Sequence, residues 1–208
     1  AKTKAEEHVA IFPDTPRREA LLVSKVAGSK RASTDLKSAF GLKVELHGHS
    51  YPHYDVYSPL SKISRLQDGF IGWHKSGADE WRCIGRQTED GGLFWMASLF
   101  EDEIVALGEP DSKKFKNAIG VMVTHYYVVM ALAHAREYMK ALSSNEVWTL
   151  TYRLRNIGGR HLVVEEFSRM GFQSRKVSVD SDIEVKCDMK LADLERDLPS
   201  LAKYFLRE

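Results

Sequence analysis

The spacing of apolar residues changes repeatedly along this chain, and each change predicts an element. "DTPRREALLVSKVAGS" carries apolar positions at helical spacing. Thr15 can cap it, Pro16 suits a first helical position and Gly28 suits an exit, so a helix is expected. "TDLKSAF" predicts a second, shorter helix that stops at Gly41. From Leu42 the period falls to two. "LKVELHG" and "HYDVYS" alternate as half-buried strands do, while "YSPLSKISRLQDG" is loop-like at its ends. "GFIGWHK", "EWRCIGRQ" and "GLFWMASLF" read as strands, with "TEDGG" turning the chain between the last two. Phe70, Trp73, Trp81, Phe94 and Trp95 offer aromatic mass for one core.

Helical spacing returns at residues 112–142. Ser112 can cap a long helix whose stripe runs through Phe115, Ile119, Met122, Tyr126, Val129, Ala133 and Met139. Tyr127, Met130 and Leu132 widen the stripe, which predicts cover on more than one side. Its "AIGVMVTHYYVVMALA" is too short and too polar for a membrane span. "EVWTLTYRLRN" is the clearest strand. It turns Trp148, Leu150, Tyr152 and Leu154 one way and Thr149, Thr151, Arg153 and Arg155 the other. "NIGG" predicts a hairpin that returns as "RHLVVEEF". "KVSVDSDIEVKCDM" adds one or two strands, and the tail is helical with a break at Pro199. The fold class expected is α+β: a mostly antiparallel sheet against one long helix, flanked by N- and C-terminal helices. Residues 1–208 are expected to form one domain, in a chain that reads as a piece of a larger protein.

Charge changes this picture more than composition does. The whole chain nets +1, yet residues 44–111 hold five basic and twelve acidic side chains, and residues 112–178 hold eleven and four. The second block is where an anionic partner is sought. Cys83 and Cys187 form no framework, which points to a reducing, cytoplasmic setting.

Arg153 and Arg155 share a strand face, Arg160 and His161 follow the turn, and Lys113, Lys114 and Lys116 open the expected long helix. Guanidiniums pair with phosphate through two parallel donors, so these seven residues are the candidate contact for nucleic acid or an acidic protein surface. "ELHGHSYPHYD" brings His47, His49 and His53 together. Zinc takes neutral imidazoles, and "HGHSY" is similar to a segment of pyruvoyl-tetrahydropterin synthases in which the two histidines hold zinc. That family has a cysteine shortly before the pair; Lys43, Val44, Glu45 and Leu46 stand here. A histidine-rich strand and turn account for the same letters. Glu184 and Lys186 have the Glu-x-Lys spacing of magnesium-dependent nucleases, but no companion aspartate lies on a separate strand, and alternating charge on an edge strand explains them as well. No phosphate-cradling glycine loop, G-x-S-x-G or H-E-x-x-H is present.

The element order from "SPLSKISRLQDGFIGWHK" to "LADLERDLPSLAKYFL" resembles the region that follows the nucleic-acid- or nucleotide-binding domain in bacterial schlafen-like regulatory and antiviral-defence proteins. Gly69, Phe70, Leu154, Asn156, Gly159, Arg160 and Leu162 carry the resemblance, which covers residues 58–206. The N-T-x-G-G segment of the binding domain itself is absent, so no catalytic residue is carried over. The resemblance implies a sensing, docking or oligomerising module beside a domain not contained in this chain. The expectation is therefore a binding module rather than an enzyme, without a cofactor. A zinc enzyme using His47 and His49 and a nuclease using Glu184 and Lys186 are the alternatives.

Overall fold

The computed structural model describes residues 15–26, 30–46, 49–51, 61–75, 81–99, 102, 116–164, 173–175 and 182–207. The class is α+β, as expected. A seven-stranded antiparallel sheet has the strand order Ile183–Met189, Trp148–Arg155, Arg17–Ser24, Leu93–Ser98, Trp81–Thr88, Gly69–Lys75, Ser61–Leu66. Its strands are β1 (Arg17–Ser24), β4 (Ser61–Leu66), β5 (Gly69–Lys75), β6 (Trp81–Thr88), β7 (Leu93–Ser98), β9 (Trp148–Arg155) and β12 (Ile183–Met189). Short strands β2 (Val44–Leu46) and β3 (His49–Tyr51) pair with each other. Strands β8 (Ala118–Gly120), β10 (His161–Val164) and β11 (Gln173–Arg175) make a third sheet. Three helices complete the described fold: α1 (Ser33–Phe40), α2 (Val121–Ala141) and α3 (Leu191–Arg207). None is long and apolar enough to cross a membrane.

The main core lies between one sheet face and α2. Ala20, Leu22, Trp95, Leu150 and Tyr152 from the sheet meet Val128, Ala131, Leu132, Ala135, Tyr138 and Met139 from the helix. Each buried Leu or Met is worth roughly 1.5–3 kcal/mol relative to exposure. The second half of α2 is buried on two sides because α1 and α3 also pack on it. The aromatics do not form one core. Phe70 and Trp95 join α2, whereas Phe94 and Trp73 fall on the opposite sheet face with Leu21, Ile84 and Met96.

Three elements differ from the sequence expectation, and a further one, "SKISRL", is a strand where the sequence predicts no element. The segment from Thr15 is a strand, β1, rather than a helix. It runs between β7 and β9, and Arg18 to Leu22 are all buried, so both its faces are covered and no solvent face exists for a helix to present. "SKISRL" is a full strand, pinned by a two-residue turn. There Gly69 has φ +148, and a Cβ would stand 1.9 Å from the Gln87 carbonyl oxygen. The long helix begins at Val121, not at 112. Asn117 adopts φ +56 and Ala118–Gly120 stays extended as β8; Ser112 lies outside the described residues. "RHLVV" is not the hairpin partner of β9, because β1 and β12 already occupy both edges of that strand. It pairs instead in parallel with β8. Other expectations hold: α1 stops at Gly41, "TEDGG" is the β6–β7 turn with Gly91 at φ +83, and α3 is kinked at Asp197 before Pro199.

Candidate functional site

Strand alternation places Arg153 and Arg155 on the sheet face away from α2, beside Glu19 of β1 and Glu184 of β12. The antiparallel register sets Arg153 opposite both carboxylates. Arg153 Nε donates to Glu184 Oε2 at 2.5 Å, and its Nη1 lies 3.6 Å from Glu19 Oε2. Arg155 Nη1 donates to Asp182 Oδ2 at 2.9 Å, Nη2 reaches Glu184 at 3.3 Å, and Nε lies 3.7 Å from Glu19. Arg17 Nε adds a 2.7 Å contact to the other Glu19 oxygen. The buried Glu19 carboxylate thus gathers three guanidiniums.

The carboxylates answer in kind. Lys186 Nζ, 2.7 Å from Glu184 Oε1, does most to hold the Glu184 carboxyl below the ordinary range, and Arg153 adds to it. At Asp182 desolvation pulls upward, but the Asn156 N–H and the Arg155 guanidinium outweigh it and the carboxyl stays low. Both oxygens of Glu184 are committed to cations, so the Glu184–Lys186 pair sits inside a charge ladder.

Arg160 has a different role. It is 9% exposed; Nη1 donates to the Ala118 carbonyl at 3.0 Å, and Nη2 reaches both oxygens of Asp102 at 2.9 and 2.7 Å. It ties the turn after β9 to the start of β8. Ile157, fully buried, anchors that turn in the main core. His161 follows at the head of β10, and its N–H donates to the Asn117 carbonyl at 3.0 Å. Lys116, exposed, stands one residue before Asn117. The fold therefore brings Lys116, Arg160 and His161 to one corner, where β8 and β10 begin. Lys113 and Lys114 lie outside the described residues.

His47 and His53 also lie outside them, and His49 opens β3 opposite Leu46. Among the described residues no group of three His, Cys, Asp or Glu side chains is placed to hold a metal ion.

Sequence reasoning missed several buried polar residues. His134 sits in α2 within the core, and desolvation pushes its pKa down to about 4, partly opposed by its bond to the Leu42 carbonyl. Arg18 is buried on the α2 face, its guanidinium 4.2 Å over the Tyr127 ring. Arg86 is buried on the opposite face, with Nη2 2.8 Å from both oxygens of Asp68. For Arg86 the available signal was a charge within a strand legible in the sequence; nothing local marked His134 in its helix or Arg18 in a strand without alternation.

A cleft of about 140 Å³ opens between the start of α1 and the β4–β5 hairpin. Lys30, Ser33, Arg65 and Gln67 line its mouth, and Leu36 and Phe70, both buried, line its floor. No protein-family model, curated protein or solved structure matches this chain.

Proposed function

We propose that this chain is a non-enzymatic binding module that contacts an acidic partner, with nucleic acid as the case to test, at the corner where β8 and β10 begin. The pairing pattern of its basic residues carries this reading. Arg153, Arg155 and Arg160 are matched by carboxylates, whereas Lys116 and His161 stand together with no side-chain partner among the described residues. The arginines are the frame and the two neighbours are the contact. Both residues belong to the sequence block 112–178, which holds eleven basic and four acidic side chains, a bias that suits an anionic partner. The schlafen-like resemblance fits a docking module beside a nucleic-acid- or nucleotide-binding domain.

The test is fluorescence anisotropy with labelled duplex and single-stranded oligonucleotides across a salt series. Phosphate contacts release counterions, so affinity should fall linearly on logarithmic axes. The Lys116→Ala/His161→Ala variant should weaken binding uniformly across sequences and flatten the salt slope by about one unit. No binding at low salt, or an unchanged slope in the variant, defeats the proposal.

A further inference from the structure

We infer that the cleft between α1 and the β4–β5 hairpin is a binding site for a small phosphate monoester. It uses residues separate from the Lys116–His161 corner and does not depend on that corner. Three chain segments build it. The first runs from Lys30 into α1, the second is β4 with its turn into β5, and the third is the β6–β7 turn that carries Glu89.

The charges in the cleft leave one guanidinium over. Lys30 Nζ lies 3.2 Å from Glu89 Oε2, so that pair is largely self-compensated. Arg31 commits its guanidinium to Glu146 at 3.0 Å and the Leu142 carbonyl at 3.3 Å. Arg65 is exposed at the mouth and makes no ion pair among the described residues. Its forked donors suit a phosphate better than a point charge would. The Ser33 hydroxyl and the Gln67 amide supply further donors on the same lining. Asp35, in the first turn of α1, is the nearby carboxylate on that helix, and the Thr34 hydroxyl donates to it at 3.4 Å.

Size and floor narrow the ligand. The volume of about 140 Å³ is about ten times the roughly 10–15 Å³ that admits one water, and well under the roughly 300 Å³ where drug-sized pockets begin. A phosphate with a short carbon body fits this space. Leu36 and Phe70 offer that body an apolar wall, which inorganic phosphate cannot use.

The experiment is an amide-resolved NMR titration of the whole chain with inorganic phosphate, glycerol 3-phosphate, a nucleoside monophosphate and glycerol. Saturable shifts are expected at Ser33–Leu36 and Arg65–Phe70, tighter for an ester than for inorganic phosphate and absent with glycerol. Arg65→Gln should weaken the ester at least tenfold. Ser33→Asp places a carboxylate in the cleft, yet suits the first turn of a helix. It should abolish the shifts with no loss of melting temperature, which separates lost binding from lost fold. Shifts unchanged in both variants overturn the inference, as do shifts confined to residues 116–120 and 160–164. Binding of phosphate that survives in Lys116→Ala but not in Arg65→Gln supports it, whatever the oligonucleotide titrations give.

Discussion

His134 Nε2 lies 3.3 Å from the Leu42 carbonyl oxygen, and this bond joins the middle of α2 to the segment after α1. A carbonyl only accepts, so Nε2 carries the proton, and it is burial that keeps the ring neutral in that tautomer. Burial lowers its pKa to about 4, against about 6.5 in the unfolded chain. Between these values the unfolded state binds the extra proton, so stability falls as pH drops through that window. The full difference is ~3 kcal/mol. Thermal melts from pH 7 down to pH 4 should show this loss, and His134→Gln, which keeps a donor for Leu42, should flatten it. An unchanged pH slope in that variant removes His134 as the cause.

The Arg160–Asp102 pair should respond unequally to loss of each partner. Arg160 is buried, whereas the Asp102 side chain is 38% exposed. Asp102→Ala leaves a guanidinium short of water and of its carboxylate, at a cost of about 2–3 kcal/mol. Arg160→Lys keeps a cationic donor and much of the packed stem, and leaves Asp102 a carboxylate that water reaches, so it should cost less. Urea denaturation of both variants measures the order; the reverse order contradicts the burial asymmetry.

These pairs show where the sequence was readable. β5, β6, β7 and β9 were legible because alternation and glycine turns mark them locally. β1 was not, because cover on both faces erases alternation and leaves helix-like spacing. That error concealed the site as well. Glu19, the carboxylate on which Arg17, Arg153 and Arg155 converge, lay in the segment read as a helix. The arginines were visible as letters, but their neutralisation depends on strand order, which puts β12 and β1 on either side of β9. Ser33, Arg65 and Glu89 belong to separate segments, and no local pattern announces a cleft among them.

Gly69 offers a backbone test next to that cleft. With φ +148 and the Gln87 carbonyl 1.9 Å from a would-be Cβ, Gly69→Ala demands a shift of β5 against β6. The expected cost is about 2–3 kcal/mol from steric overlap and strained backbone together. Chemical denaturation should show an earlier midpoint at unchanged slope. Stability equal to the parent chain means that the hairpin takes another form.

The charge ladder separates the two basic surfaces. Glu184→Gln removes one negative charge from between Arg153, Arg155 and Lys186, all of them at least partly exposed. Surface ion pairs contribute about 0–1 kcal/mol each, so the melting temperature at pH 7 should change little. Glu184 has a lowered pKa in the fold, so its contribution is present above the unfolded carboxyl pKa. That contribution fades as pH falls through the folded value, and the variant should be less acid-sensitive. Oligonucleotide affinity is the deciding measurement. If Lys116 and His161 make the contact, Arg153 and Arg155 take no part and stay paired with Glu19 and Asp182, so affinity should change less than about threefold. A gain of tenfold or more with a steeper salt slope moves the contact to Arg153 and Arg155, because only phosphates seated on that ladder would feel the positive charge that the Glu184 carboxylate had offset.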